Sequence, residues 1–481
     1  MAITLAQLMG GNRVDGAVEI AGLTVDSRAV QAGDMFVALP GVKFDGRRFI
    51  PDAVKAGASA VLTTPGVEVP DGVSVVEDNN PRRRYADLAS RFFNAQPETQ
   101  VAITGTNGKT SVADFTRQLW QSIGLEAASI GTLGVRSGPV LMPGGLTTPD
   151  PMMLHSALKA LAESGVTHAA LEASSHGLDQ YRMDGACFKA AAFTNLTRDH
   201  LDYHKTEQSY FYAKARLFGE LLGPGDAAVI NVDGSWGAIL DDIAWGRGLE
   251  RLSVGKGEGA ALRFLDQSVT PSGQQISFSF DGKTYDVALP LVGGFQAENA
   301  LMAAALVAVT GAEVDATFSG LEQLTGVPGR MELVGISKSG GAIFVDYAHT
   351  PDGLKTVLTA ARSHNPNKLA VVFGCGGDRD AGKRPQMGKV ATDLADKVYV
   401  TDDNPRTENA STIRSEIISA ATGAIEIGNR GEAIAAAVSA LQAGDMLVVS
   451  GKGHEEGQLV GEDMLPFSDI ETVKMILAQG G

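Results

Sequence analysis

Eleven residues, Val101-Ala102-Ile103-Thr104-Gly105-Thr106-Asn107-Gly108-Lys109-Thr110-Ser111, leave the chain little freedom in how it folds. An apolar run breaks into glycines and then into Lys-Thr-Ser, which predicts a buried strand, a tight loop and a helix start. Glycine lets backbone N–H groups approach an anion closely, Lys109 brings a point charge to phosphates, and the Thr110 hydroxyl suits a magnesium ion. An ordinary strand-to-helix turn needs no such combination, and Asp114 to Ile123 continues as an amphipathic helix. The usual Gly-x-x-x-x-Gly-Lys spacing is not met, because Ile103 stands five positions before Gly108.

From Val101 onward, strand-like and helical stretches alternate. Ala127 to Ile130, Thr167 to Leu171, Ala190 to Leu196 and Ala227 to Val232 are strand-like, which predicts a largely parallel sheet covered on both faces, with ligands at the carboxyl ends of its strands. Arg263 to Leu289 alternates polar and apolar residues around Asp281-Gly282-Lys283 and reads as an antiparallel appendage, followed by a helix from Gln296 to Val309. Gly326-Val327-Pro328-Gly329 is the clearest linker. Beyond it, Ala342 to Asp346, Leu369 to Phe373, Lys397 to Thr401, Ala424 to Ile427 and Asp445 to Val449 predict a second doubly wound sheet. Residues 1 to about 98 form a smaller α/β unit. The expectation is an α/β protein of three domains, 1–98, 99–328 and 329–481, in keeping with 481 residues at about 150 per domain.

A net charge of −16 repels nucleic acid and anionic membranes, and Arg82-Arg83-Arg84 reads as a solvated helix start rather than a basic patch. No apolar stretch reaches the ~18 residues of a membrane span, and Met1 to Gly11 lacks a signal-peptide pattern. A cytosolic protein that binds no nucleic acid is expected. Cys187 and Cys375, the only cysteines, fit that reducing compartment as structural residues.

Three further segments carry chemistry. Thr167 to Leu171 runs into Glu172-Ala173-Ser174-Ser175-His176-Gly177, which sets the Glu172 carboxylate, a suitable magnesium ligand, at a strand end beside the glycine loop. In Asn195-Leu196-Thr197-Arg198-Asp199-His200-Leu201-Asp202-Tyr203-His204, two histidines would share a helical face. Leu201 stands where a zinc protease has glutamate, so the segment reads as a loop at the nucleotide site. Lys214 lies on an apolar stripe with Tyr210, Phe211, Leu217 and Phe218. Such a lysine either snorkels to water or is buried with a lowered pKa, and a neutral amine can add carbon dioxide to become a carbamate.

Taken together with Asp346-Tyr347-Ala348-His349-Thr350-Pro351 and Gly451-Lys452-Gly453-His454-Glu455, these motifs resemble, in order and over essentially the whole chain, the Mur ligase family. Within it, Asp26-Ser27-Arg28 and Asp403-Asn404-Pro405-Arg406 are similar to those of members that add meso-diaminopimelate to UDP-N-acetylmuramoyl-L-alanyl-D-glutamate, using ATP and Mg2+, through an acyl phosphate. The resemblance implies that Val25, Ser27, Val42, Lys43 and Phe44 hold the UDP end and that Thr147, Thr148, Ser174, Gln180 and Arg182 hold the sugar-peptide end. It implies that Gly105 to Ser111, with Asn299, Arg330, Asp346 and His349, bind the nucleotide. Thr110, Glu172, His200 and a carbamylated Lys214 would serve the metal, and Lys109, Glu172, His200 and Lys214 the catalysis. Arg379, Asp403, Asn404, Pro405, Arg406, Gly451 and Glu455 would hold the amino acid, with Arg406 on its distal carboxylate. Gln296 departs from the family's usual asparagine. A monomer is expected. A folate polyglutamate ligase, an energy-coupling NTPase and a nucleotide-sensing scaffold are the competing readings.

Overall fold

The computed structural model describes residues 3–11, 18–41, 45–138, 140–142, 144–270 and 273–479. Three sheets organise them. The first is a four-stranded parallel sheet, Leu23–Thr24, Met35–Val37, Ala60–Thr63 and Ser74–Glu77 in spatial order, packed against the helix Pro81–Phe93. That helix begins at Asn80, whose side chain accepts from the Arg83 N–H, as expected of an N-cap. The arginines behind it are not simply solvated. Arg83 reaches the buried Asp184 at 3.1 Å, Arg84 pairs with Asp78 at 2.8 Å and Arg82 donates to the Pro40 carbonyl at 2.9 Å. Arg83 therefore fastens the first sheet's unit to the second, sharing with Arg216 the carboxylate of Asp184, which is two per cent exposed.

The central sheet has eleven strands. Its strand Thr99–Thr104 lies between His168–Glu172 and Phe188–Phe193, parallel to both. Strands Ala127–Gly131 and His168–Glu172 extend to one side and Phe188–Phe193, Ala227–Asn231 and Glu250–Gly255 to the other, so the loop after Thr104 opens at the point where the winding reverses. Both faces are covered. Val101 and Ile103 pack with Val112, Phe115 and Leu301 of the helices Lys109–Ser122 and Gly294–Val309, whereas Ala102 packs with Leu158, Phe211 and Leu240 on the opposite face. Burial on both sides explains the unbroken apolar strands. The antiparallel appendage expected at 263–289 is present and is continuous with the central sheet. Leu262–Thr270 joins the sheet edge through Val254↔Leu262 and Gly255↔Arg263, and Gly273–Phe280 and Lys283–Leu289 continue the same sheet antiparallel.

Past Gly329, a six-stranded sheet runs Glu332–Ile336, Ala342–Asp346, Met446–Ser450, Leu369–Phe373, Lys397–Val400, Ile425–Glu426, parallel except for its first strand. Helices Pro351–Ser363, Lys383–Leu394 and Ala410–Ile418 cover one face, and Arg430–Ser439 and Asp469–Gln479 the other. No helix among the described residues is long and apolar enough to cross a membrane.

Candidate active site

The glycine loop is built so that other residues cannot replace its glycines. Gly105 has φ +147°, and a Cβ there would lie 1.9 Å from Thr194 Oγ1; at Gly108, φ +90°, a Cβ would lie 2.4 Å from Asn299 Oδ1. The loop borders a cavity of about 210 Å³ between the central and C-terminal sheets. Thr106, Asn107, Gly108, Lys109, Thr110 and Ser111 line one wall, and Arg330, Asp346 and His349 another. Thr147, Glu172, His200 and Asn299 also face it.

Glu172 ends its strand inside this cavity, three per cent exposed. Its carboxylate accepts from the Thr110 hydroxyl at 2.9 Å, the Thr132 N–H at 2.8 Å and the Thr132 hydroxyl at 3.2 Å. All three donors are neutral and, among the described residues, no ion pair reaches the carboxylate, a setting suited to a hard divalent cation. Arg330 donates to Thr110 Oγ1 at 3.1 Å and stacks on Tyr347 at 4.3 Å. Asp346 is buried and accepts from the Met331 and Ala348 N–H groups, both at 2.7 Å, so its oxygens shape the loop that carries Tyr347 and His349.

Lys109 and Lys214 meet on one oxygen. Lys109 Nζ donates to the Gly105 carbonyl at 2.9 Å and to that of Thr106 at 2.8 Å, and Lys214 Nζ to the Gly105 carbonyl at 2.7 Å. Lys214 is one per cent exposed, sits 4.4 Å above the Tyr210 ring and lies behind the loop, not among the residues lining the cavity. Burial, with the Lys109 charge, holds its pKa well below that of an ordinary lysine. Tyr210 Oη is 3.2 Å from Thr106 Oγ1 and completes the contact between the lysine's helix and the loop. His200 has φ +53° and its imidazole is kept neutral chiefly by burial, against the pull of Asp199.

A second cavity of about 190 Å³ continues from the first, with Asp199, His200, Tyr347 and His349 lining both. Its lining includes the cations Arg379, Lys383 and Arg406 and the carboxylates Asp403 and Glu455, together with Asn404 and Gly451. Arg406 has φ +53° and donates from Nη1 to the Gly377 carbonyl at 2.8 Å. Burial first, and Arg379 second, lower the Arg406 pKa, while Asp403, Glu455 and Asp378 act the other way. Asp403 is buried and its Oδ2 has no hydrogen-bond partner. Glu455 is pushed up by burial and by Asp403. Asn404 is tied into the protein: its Oδ1 accepts from Lys452 Nζ at 2.8 Å and the Leu459 N–H at 2.9 Å, while Nδ2 donates to Glu455 at 3.1 Å. Pro405 does not line the cavity; it sets the turn ahead of Arg406.

The remaining residues fall in two places. Thr148 is buried, donates to the Glu172 carbonyl at 2.8 Å and accepts from the Ser174 N–H at 2.9 Å. Arg182 donates to the Thr148 carbonyl at 2.9 Å and to Gln180 Oε1 at 2.7 Å, so Thr147, Thr148, Ser174, Gln180 and Arg182 gather at the strand ends next to Glu172. Val25 and Ser27 belong to the first sheet's unit and line neither cavity; Asp26 and Arg28 around Ser27 form an exposed ion pair. Val42, Lys43 and Phe44 lie outside the described residues. Sequence reasoning passed over Thr132, Asp199, Tyr347 and Lys383 as site residues. Asp199 and Tyr347 stand inside segments already singled out, but Thr132 follows its strand without any motif.

Models of known families match three stretches: the Mur ligase middle domain over 103–307, the Mur ligase glutamate ligase domain over 329–453, and the Mur ligase family catalytic domain over 19–93. The chain is 51% identical over 467 residues to the UDP-N-acetylmuramoyl-L-alanyl-D-glutamate--2,6-diaminopimelate ligase of Bradyrhizobium diazoefficiens, covering 96% of each. It is 52% identical over 474 residues to the enzyme of that name from Rhizobium meliloti, covering 98% of this chain and 96% of the other. A solved structure of a UDP-N-acetylmuramoyl-L-alanyl-D-glutamate--2,6-diaminopimelate ligase superposes with a TM-score of 0.72 at 34% identity, over 100% of this chain and 99% of the other. From its first sheet to its last, the chain belongs to the Mur ligase family.

Proposed function

We propose that the protein is an ATP-dependent ligase that joins meso-2,6-diaminopimelate to the D-glutamate of UDP-N-acetylmuramoyl-L-alanyl-D-glutamate, a step of peptidoglycan synthesis in the cytoplasm. The observation that carries the reading is the pair of cavities with a common wall at Asp199, His200, Tyr347 and His349. One is lined by a phosphate loop, and the other by two guanidiniums and two carboxylates. Diaminopimelate carries, at its far end, one carboxylate and one ammonium. Arg379 and Arg406 complement the first, and Asp403, with its free Oδ2, and Glu455 the second. Lysine lacks that carboxylate and would leave the arginine pair unneutralised.

An amide does not form from a carboxylate in water without activation. Lys109, Arg330 and the loop N–H groups hold the ATP phosphates so that the γ-phosphoryl passes to the D-glutamate side-chain carboxylate, forming an acyl phosphate and ADP. The diaminopimelate amine, delivered from the second cavity, then attacks the acyl carbon; the tetrahedral intermediate expels phosphate and loses a proton. Thr110 and Glu172, with His200 and a carbamate on Lys214, would hold magnesium, which supplies charge neutralisation at the phosphoryl oxygens. Thr147, Thr148, Ser174, Gln180 and Arg182 present the muramoyl peptide from the Glu172 side, and Val25, Ser27 and residues 42–44 take the UDP. The chain thus divides into a UDP unit, 1–98, an ATP unit, 99–328, and an amino-acid unit, 329–481.

The test is ADP release with the UDP-muramoyl dipeptide and a panel of diaminopimelate, lysine and ornithine, with products identified by mass. Turnover that depends on both the uridine nucleotide and diaminopimelate is expected. ADP release without any acceptor, or with a folate acceptor instead, would overturn the reading.

A further inference from the structure

Two loops supply the cationic end of the second cavity: 374–379, after the strand Leu369–Phe373, and 403–408, after Lys397–Val400. They interlock. The Gly377 N–H donates to the Asn404 carbonyl at 2.9 Å, Arg406 Nη1 to the Gly377 carbonyl at 2.8 Å, and Thr407 Oγ1 to Asp378 at 2.8 Å. A Cβ on Gly377 would lie 1.9 Å from the Pro405 carbonyl oxygen, so the two backbones touch. These contacts fix the loops to each other but leave open what fixes the pair to the domain.

Arg384 does this. It stands in the first turn of Lys383–Leu394, is one per cent exposed and is not among the residues that line the cavity. Its Nη2 donates to both oxygens of Glu408, at 2.8 and 2.9 Å, and its Nη1 to Glu416 on the helix Ala410–Ile418 at 2.8 Å. Glu408 in turn accepts from the Asp378 N–H. One guanidinium therefore joins two helices and both loops. Stability alone is a poor reason for it, since both carboxylates are partly open to water, at 33% and 42% exposure, where ion pairs contribute little. The Arg384 Nε also goes without a partner. A planar fork does offer what an apolar side chain cannot: a fixed angle between two carboxylates.

We propose that Arg384 is a positioning residue for the choice of amino acid: gripping Glu408 and Glu416 together, it holds Arg406 and Arg379 at the spacing that the distal carboxylate of diaminopimelate requires. The inference rests on the reading of the second cavity as the amino-acid site. Arg384→Lys keeps the charge but cannot span both carboxylates, and Glu408→Gln keeps the shape but loses the charge. In steady-state assays of the full chain at saturating ATP and dipeptide, each variant should raise the KM for diaminopimelate. Each should also shrink the diaminopimelate-to-lysine ratio of kcat/KM by about tenfold or more, while the KM for ATP moves by less than about twofold. A brace that served stability alone would lower Tm and leave that ratio where it was. Should Arg384→Lys fail to fold, Glu408→Gln, whose side chain is 33% exposed, decides the matter. A folded variant with an unchanged ratio, beside a wild type that prefers diaminopimelate, overturns the role of Arg384. A wild type without that preference overturns the reading of the cavity itself.

Discussion

Lys109 and Lys214 both donate to the Gly105 carbonyl, at 2.9 and 2.7 Å, so their nitrogens are at most about 5.6 Å apart. At an effective dielectric of about 20, two unit charges at that distance repel by roughly 3 kcal/mol, or about two pKa units. One ammonium should give way. Burial lowers the pKa of both, but Glu172 and Asp199 support the charge on Lys109, whereas only Asp199 supports that on Lys214, which Lys109 opposes. Lys214 is therefore the one that loses its proton. Its free amine can add carbon dioxide, forming an N–C bond and releasing a proton, and the resulting carbamate turns the repulsion from Lys109 into attraction. Lys214→Ala should lower kcat by about 100-fold, as removal of a metal-site group does, and short carboxylates such as acetate should restore part of it. Wild-type enzyme exposed to carbon-13-labelled bicarbonate should show a carbamate signal by NMR that the variant lacks. Full activity of the unrescued variant, or an active wild type without label, would refute the argument.

Arg406→Ala should cost on the order of 2 to 4 kcal/mol, roughly a thirty- to thousandfold loss in kcat/KM for diaminopimelate with little change for lysine; parallel kinetics with both amino acids check it. His155 is buried against the Asp184 carbonyl at 3.2 Å, and burial pushes its pKa from 6.5 down to about 4. Between those values the unfolded chain binds a proton that the native one refuses, so stability falls as pH drops from 6.5 towards 4 and no further below. This amounts to on the order of 3 kcal/mol, and denaturant titrations of His155→Gln should show a correspondingly shallower pH dependence. Asn107 to Asp352 at 3.2 Å and Arg198 to Asp380 at 3.4 Å bridge the cleft that Gly326 to Gly329 would allow to open. Small-angle scattering should show a more compact particle with an ATP analogue and dipeptide than without, and identical profiles would count against closure.

How much of this was legible in the sequence depends on what kind of signal each part leaves. The strand, loop and helix around Gly105 were readable because close backbone packing admits only glycine there, and the parallel strands because double burial makes them continuously apolar. Glu172 was readable from its place at a strand end, where a doubly wound sheet collects its ligands, and Thr110 and His200, in the helix and loop beyond neighbouring strands, line the same cavity. The antiparallel strands of 263–289 were readable, but not the sheet edge they join, because alternation reveals a half-exposed strand and not the neighbour it pairs with. The roles of Arg83, Asn404 and Arg384 were not legible. Each acts through a partner far along the chain, Asp184, Lys452 and Glu408 respectively, and no local pattern announces such a contact.

The central claim is that the carboxylate is activated in one cavity and attacked from the other. It is tested most directly with UDP-muramoyl dipeptide carrying oxygen-18 in the D-glutamate side-chain carboxylate. In the presence of ATP and diaminopimelate, the account predicts one labelled oxygen in each phosphate released, because the acyl phosphate bridges through a substrate oxygen. Unlabelled phosphate accompanying tripeptide formation would contradict it.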